Sequence, residues 1–326
     1  MSVMRPRLLA SVAGHPGETW PIATGGWLTT YYNAQHVWIL DRRLEVIAAI
    51  PYADGFPYTD GRHLAVVNDH EIVVTDMRRR PRWRRAGTGI RTCHFDGDLL
   101  RILTDETLTT VHAGTGERIG ESRHGIDHVD TAWITDPAHG RIALTAETQG
   151  RAARGRLLDF DPTGVRVTEL PAPLLDFHRG QPRYLSISPD RHRLTMRDVA
   201  TGAVVASCSD EELGGPDAEL SPYGNAVVSE SVIVTEIEDH YGEPSRHVLL
   251  CAETLQPRAV VDYPRPGQRT PKRSTESGTW LTSETGGGLC LWQLDGPLGD
   301  GAAAWPWAAS VRPAPPAVLP GQLDLF

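Results

Sequence analysis

Hydrophobic positions fall in short runs separated by polar turns, and within each run they tend to alternate. WLTTYY (27–32), HVWIL (36–40), LEVIAAI (44–50), HLAVV (63–67) and EIVVTD (71–76) are rich in Val, Ile, Thr, Tyr and Trp and bounded by Gly, Asp, Asn or Pro. β-Branched and aromatic side chains suit a pleated surface, and alternation sends successive side chains to opposite faces, so these runs predict strands. No helical stripe of useful length precedes residue 300, and EEL at 211–213 predicts one short helical turn.

The strands recur in units of four. An apolar third strand, often closed by an acidic residue, ends at VWILD41, EIVVTD76, LTTVHAGTG (108–116), LLDFD161, LTMRDVATG (194–202), VLLCAE253 and LCLWQLDG (289–296). The spacing drifts between about 35 and 55 residues, near the period of a propeller blade. Turns expected after first strands are YTDG (58–61), HFDG (94–97), TDPAHG (135–140), SPD (188–190) and SPYG (221–224). Gly closes such tight turns because it tolerates positive φ.

LCLWQLDG, RDVATGAVVAS and VHAGTGERIGES resemble the third-strand, turn, fourth-strand segment of WD-repeat β-propellers, over roughly residues 15–298. The terminal Trp-Asp pair of that family is absent and its Gly-His entry dipeptide is irregular, so the likeness extends to WD-like and quinoprotein-type propellers in general. It implies an all-β, seven-bladed β-propeller spanning 1–311. Residues 6–14 (PRLLASVAG) are then expected to supply the outer strand of the last blade and close the ring. Alternatively, AAAWPWAASV (302–311) completes that blade.

After 311 the composition changes. Four prolines stand between 313 and 321, which predicts an extended, semi-rigid tail over 312–326. The chain as a whole is acidic, with net charge −9, so any contact with nucleic acid must come from a local Arg patch. Lys272 is the only lysine, and the Arg-, Ala-, Gly- and Pro-rich composition resembles that of a GC-rich bacterial genome. Cys93, Cys208, Cys251 and Cys290 are scattered without metal-binding spacing and read as buried free thiols. No apolar run approaches the length of a membrane helix, and the first residues read as a strand, which together predict a cytoplasmic protein without membrane contact.

The tail ends in QLDLF. Gln322, Leu323, Asp324, Leu325 and Phe326 resemble, residue for residue, the pentapeptide by which bacterial replication and repair proteins dock on the DNA polymerase sliding clamp. The resemblance implies that Gln322 hydrogen-bonds in one subsite while Leu325 and Phe326 fill an apolar pocket. Burying each of those two side chains is worth roughly 1.5–3 kcal/mol. The competing placement folds Leu323, Leu325 and Phe326 back onto the ring.

MRRRPRWRR (77–85) concentrates Arg78, Arg79, Arg80, Arg82, Arg84 and Arg85 around Trp83. It reads first as the solvated turn and outer strand of the second blade. Alternatively, the arginines grip phosphates or a protein partner while Trp83 stacks on a base. His124, His128 and Asp130 read as a polar loop, metal ligation requiring a helix that nothing predicts there. Asp239 and Glu243 belong to a rim loop. Nucleophile-elbow, phosphate-loop, zinc-protease and dinucleotide motifs are all absent. The expectation is a non-enzymatic adaptor in DNA replication or repair, without cofactor or metal, whose tail docks on the clamp and whose rim binds a second protein. The alternatives are a propeller enzyme or ligand binder with its site in the central channel, and a scaffold unrelated to DNA with a packed tail.

Overall fold

The computed structural model describes residues 3–14, 16–22, 25–31, 36–51, 55–124, 130–136, 141–148, 151–161, 164–215, 218–239 and 245–294. These form seven antiparallel sheets, each a meander of four strands. Blades 1 to 6 occupy 16–51, 56–86, 90–123, 130–169, 174–209 and 218–261. Blade 7 takes its first three strands from Gln268–Arg273, Thr279–Glu284 and Leu289–Gln293, and its outermost strand, Arg7–Val12, from the other end of the chain. Arg7 lies opposite Gln293 and Val12 opposite Leu289, antiparallel. The preceding Val3–Met4 adds a fifth, parallel strand to blade 6 beside Val260 and Val261. Residues 302–311 and the whole tail, Gln322 to Phe326 included, lie outside the described residues.

All seven runs identified as third strands occupy the third position of their sheets. These strands read clearly because they are buried on both faces and the turn that follows wants an acid. Two of the expected first-strand turns sit elsewhere. Ser188 and Asp190 lie between the second and third strands of blade 5, where the Arg191 amide donates to the Ser188 carbonyl. Residues 221–224 do not end the first strand of blade 6 but form a bulge inside it, in Ala218–Val227, where the register jumps between Leu220 and Asn225. Asn225 makes the bulge by reaching back to the Ser221 carbonyl (2.7 Å) while accepting from Thr235 Oγ1 (2.6 Å). A Cβ at Gly224 would lie 2.1 Å from Glu236 Oε2, so only glycine fits there. The short helix at Asp210–Gly214 has a capping box, Ser209 with Glu212.

The core is a ring of seven apolar clusters, each bridging two neighbouring blades. Ile39 and Leu64 join blades 1 and 2, Val74 and Cys93 join 2 and 3, and Leu103 and Leu144 join 3 and 4. Leu157 and Phe177 join blades 4 and 5, Leu194 and Ile233 join 5 and 6, and Val234 and Trp292 join 6 and 7. The seventh cluster packs Trp27 and Leu40 of blade 1 against Leu281 and Leu291 of blade 7, so the ring closes by packing as well as by strand pairing. Closure of this kind covers sheet edges that would otherwise invite pairing.

Candidate functional site

In the arginine run, carboxylate and guanidinium are held at different depths. Asp76 ends the third strand of blade 2 and turns inward, its Oδ1 accepting from the amides of Arg78 (2.9 Å) and Arg80 (3.0 Å). Arg79 adopts φ 63°, which reverses the chain. Arg80 Nε reaches Asp76 Oδ2 at 2.7 Å, and Arg82 stands 3.8 Å from the same oxygen. The Arg80 amide, followed by its guanidinium and the Arg78 amide, holds the Asp76 carboxyl below its usual range despite some desolvation.

The outer strand Pro81–Ala86 then alternates. Arg82 and Arg84 are exposed, Arg84 pairing with Glu71, while Trp83 and Arg85 turn toward blade 3. Trp83 Nε1 donates to the Ala113 carbonyl (2.7 Å) and Arg85 Nη2 to the Gly116 carbonyl (2.8 Å). The indole packs so closely on Gly116, itself at φ 72°, that a Cβ there would lie 2.7 Å from it. Trp83 is thus engaged by blade 3, and Arg78, Arg79, Arg80, Arg82 and Arg84 are the exposed members of the run.

The inward-turned carboxylate recurs. Asp41 accepts from the amides of Arg43 (2.7 Å) and Glu45 (2.8 Å), and Asp198 from Ala200 (3.1 Å) and Thr201 (2.9 Å). Each sits at the turn from third to fourth strand. In blade 6 the same position is Cys251, whose thiol is lowered to about 7. Desolvation opposes that shift, but hydrogen bonds from Thr254, Arg258 and the Glu253 amide outweigh it.

Known proteins share this chain's fold and little of its sequence. No family model matches it and no curated protein matches it. Among solved structures, it is similar to the β-propeller domain of Myceliophteria thermophila Cps50 (Swd1), with TM-score 0.60 at 10% identity over 89% of this chain and 100% of that one. A chain in the structure of the mitotic checkpoint complex gives TM-score 0.59 at 12% identity, covering 89% of this chain and 96% of that chain. Kluyvelomyces marxianus Hsv2 gives 0.54 at 8% identity, covering 83% and 89%. The fold is a WD-repeat-like seven-bladed propeller.

Two polar clusters that sequence reading did not find fasten blades 5, 6 and 7 together. Asp176, 3% exposed on the innermost strand of blade 5, accepts from Arg273 Nη1 of blade 7 (2.8 Å) and from the Val227 amide of blade 6 (2.8 Å). Arg179 spends its donors on the carbonyls of Val227 (2.9 Å), Thr275 (3.4 Å) and Ser274. Burial, aided by Arg273, lowers its pKa to about 10. Between blades 6 and 7, Trp280 Nε1 donates to the Tyr263 hydroxyl (2.9 Å), which is also hydrogen-bonded to His247 Nδ1 (2.7 Å). His247 Nε2 stands 3.8 Å from the buried Glu236 carboxylate. Burial pushes the Glu236 carboxyl up, but His247, Ser245 and the Thr270 amide together hold it below its usual range.

The remaining sequence candidates lie apart. His124 is buried with Nε2 3.0 Å from the Thr104 carbonyl, Asp130 opens the first strand of blade 4, and His128 lies outside the described residues. Asp239 ends a strand of blade 6, and Glu243 lies outside the described residues. All four cysteines are buried and unpaired. Among the described residues, no group of three or more His, Cys, Asp or Glu side chains is placed to hold a metal ion, and no helix is long and apolar enough to cross a membrane.

Proposed function

We propose that this chain is an adaptor: its terminal QLDLF docks on the bacterial DNA sliding clamp, and its propeller binds a second protein, bringing that partner to sites of replication or repair. The five-for-five match of Gln322, Leu323, Asp324, Leu325 and Phe326 to the clamp-docking pentapeptide carries this reading. The prolines between 313 and 321 support it, because a stiff spacer lowers the entropy lost when the peptide is captured. The fold supports the second half: a rigid ring displays turns at both ends of every blade, and one of its structural neighbours was solved within a multiprotein complex.

The test is a fluorescence-anisotropy titration of labelled PAVLPGQLDLF against purified sliding clamp. Binding is expected on the order of micromolar. Changing Leu325 and Phe326 to Ala removes two apolar anchors worth together at least about 3 kcal/mol and weakens it by about 100-fold or more. Equal, negligible binding by both peptides refutes the docking. A pull-down with the intact protein and with a chain truncated after Arg312 separates partners of the tail from partners of the ring.

A further inference from the structure

In a four-stranded meander the first-to-second and third-to-fourth turns lie at one end and the second-to-third turn at the other. Contacts between blades place these paired turns on one common face of the ring. Arg42, after the third strand of blade 1, stands 3.4 Å from Glu276 in the first turn of blade 7. Arg62, in the first turn of blade 2, stands 4.0 Å from Asp98 in the first turn of blade 3. Gln181 of blade 5 reaches Glu253 of blade 6 at 3.5 Å, and Arg79 of blade 2 reaches the Ala49 carbonyl of blade 1 at 3.4 Å.

Charge on this face is divided. The turns of blades 1 and 2 present Arg42, Arg43, Arg62, Arg78, Arg79 and Arg80, all exposed. Of the carboxylates sharing those turns, Asp41, Asp60 and Asp76 are drawn down onto backbone amides, and Glu45 alone is exposed beside six arginines. Elsewhere on the same face, the turns of blades 6 and 7 carry Glu230, Glu253 and Glu276, the last beside Arg42 of blade 1, and Arg179 of blade 5 is spent on carbonyls. An outward arginine layer over inward carboxylates gives a local positive field on a chain of net charge −9.

We infer that the face formed by the turns of blades 1 and 2 binds the phosphate backbone of duplex DNA. Guanidinium groups suit phosphate oxygens geometrically, and an arc spanning two blades offers several contacts to a rigid polyanion. With Trp83 packed on Gly116, contact is confined to phosphates and carries no base stacking, so binding is independent of sequence. The choice of DNA over an acidic protein segment rests on the clamp-docking reading, since a clamp-bound protein is already beside duplex.

The experiment uses the full-length protein without clamp and a labelled 30-base-pair duplex, titrated between 50 and 200 mM salt. The expected result is binding whose log–log salt dependence has a slope of about −4, near −0.9 for each phosphate contacted. Arg43→Ser with Arg78→Ser is expected to weaken binding at least tenfold at 50 mM salt and to flatten the slope by about two. Arg123→Ser with Arg193→Ser removes the same charge from exposed positions at the opposite end of blades 3 and 5 and is expected to leave binding within threefold. Absence of duplex binding by the wild type, equal losses in both variants, or tighter binding of poly-glutamate than of duplex overturns the inference. The peptide–clamp titration reads the tail alone, so either result stands whatever the other gives.

Discussion

Replacing Asp176 by Asn tests whether the ring depends on charge held at its centre. The carboxylate is 3% exposed and serves three donors: the Phe177 and Val227 amides and Arg273 Nη1, each at 2.8 Å. An Asn side chain has the same shape but only one acceptor oxygen, so its amide NH₂ must face either the Val227 N–H or the Arg273 guanidinium. Removing one partner of a buried pair costs about 3–5 kcal/mol. Arg273 keeps 17% of its side chain in solvent and a second acceptor, the Phe177 carbonyl at 3.2 Å, which places the expected loss at the lower end, about 3 kcal/mol. For a domain of this size that is a fall in Tm of about 6–10 °C.

Urea unfolding followed by tryptophan fluorescence gives the free energy, and a thermal melt gives Tm. The companion variant Arg273→Met removes the cation with little change in volume, and the double variant completes a cycle. Because the two groups touch, the double variant is expected to lose at least about 1 kcal/mol less than the sum of the single losses. A melt of Asp176→Asn within 1 °C of wild type, or strict additivity in the cycle, refutes the claim that this pair ties blade 5 to blade 7.

Two further predictions concern titration. Burial beside the Trp133 ring, stacked at 5.5 Å, pushes His94 down to about 4, with Asp96 opposing and Arg101 assisting. The unfolded chain takes up this proton near pH 6.5 and the folded one only near 4, so stability from His94 is intact above pH 6.5 and lost progressively as pH falls between those values. Tm measured from pH 7 to 4.5 is expected to fall more steeply for wild type than for His94→Gln, and parallel curves refute this. Among the thiols, Cys251 is lowered to about 7, while Cys208 and Cys290 are pushed up to about 12 and Cys93 is also raised. Iodoacetamide labelling followed by mass spectrometry is expected to modify Cys251 first, with a rate rising through pH 7; earlier labelling of any other cysteine refutes the assignment.

The third strands were legible because burial on both faces leaves an unbroken apolar run and the turn that follows demands a carboxylate or its substitute, as in EIVVTD76 and VLLCAE253. The bulge at 221–224 was not, because SPYG is the same tetrapeptide whether it ends a strand or loops out of one. Only Asn225 and the neighbouring Glu236 decide between the two, through contacts no local pattern encodes. Asp176 and Arg273 lie 97 residues apart and meet only because blades 5 and 7 both abut blade 6 at the axis. The arginine run at 77–85 was visible as composition. Its outward and inward halves followed from strand alternation, which sends Trp83 and Arg85 to blade 3 and leaves Arg82 and Arg84 outside.

The same alternation explains why net charge misjudges this surface. A turn from third to fourth strand needs an acceptor for two or more backbone amides, and Asp41, Asp76 and Asp198 fill that need. Hydrogen bonds to the charged form lower Asp76 and Asp198, so their negative charge persists but is bound to local N–H groups. The arginines of the same turns have no comparable structural demand on every donor, and their long side chains carry the charge outward. An approaching polyanion meets guanidinium first and carboxylate only behind it, a difference in distance that matters within a Debye length of about 8–10 Å. Blades 5 and 6 use the same turn scaffold, with Asp198 or Cys251 inward, and blade 6 places Glu253 outside it, while Glu230 and Glu276 stand in the first turns of blades 6 and 7. Because the scaffold is common to both halves of the face, the sign of the outer layer is free to vary from blade to blade without cost to the turn. The electrostatic character of the face is therefore set by which residues flank the inward acid, and exchanging those flanking residues between blades 2 and 6 should transfer the charge pattern while leaving the fold unchanged.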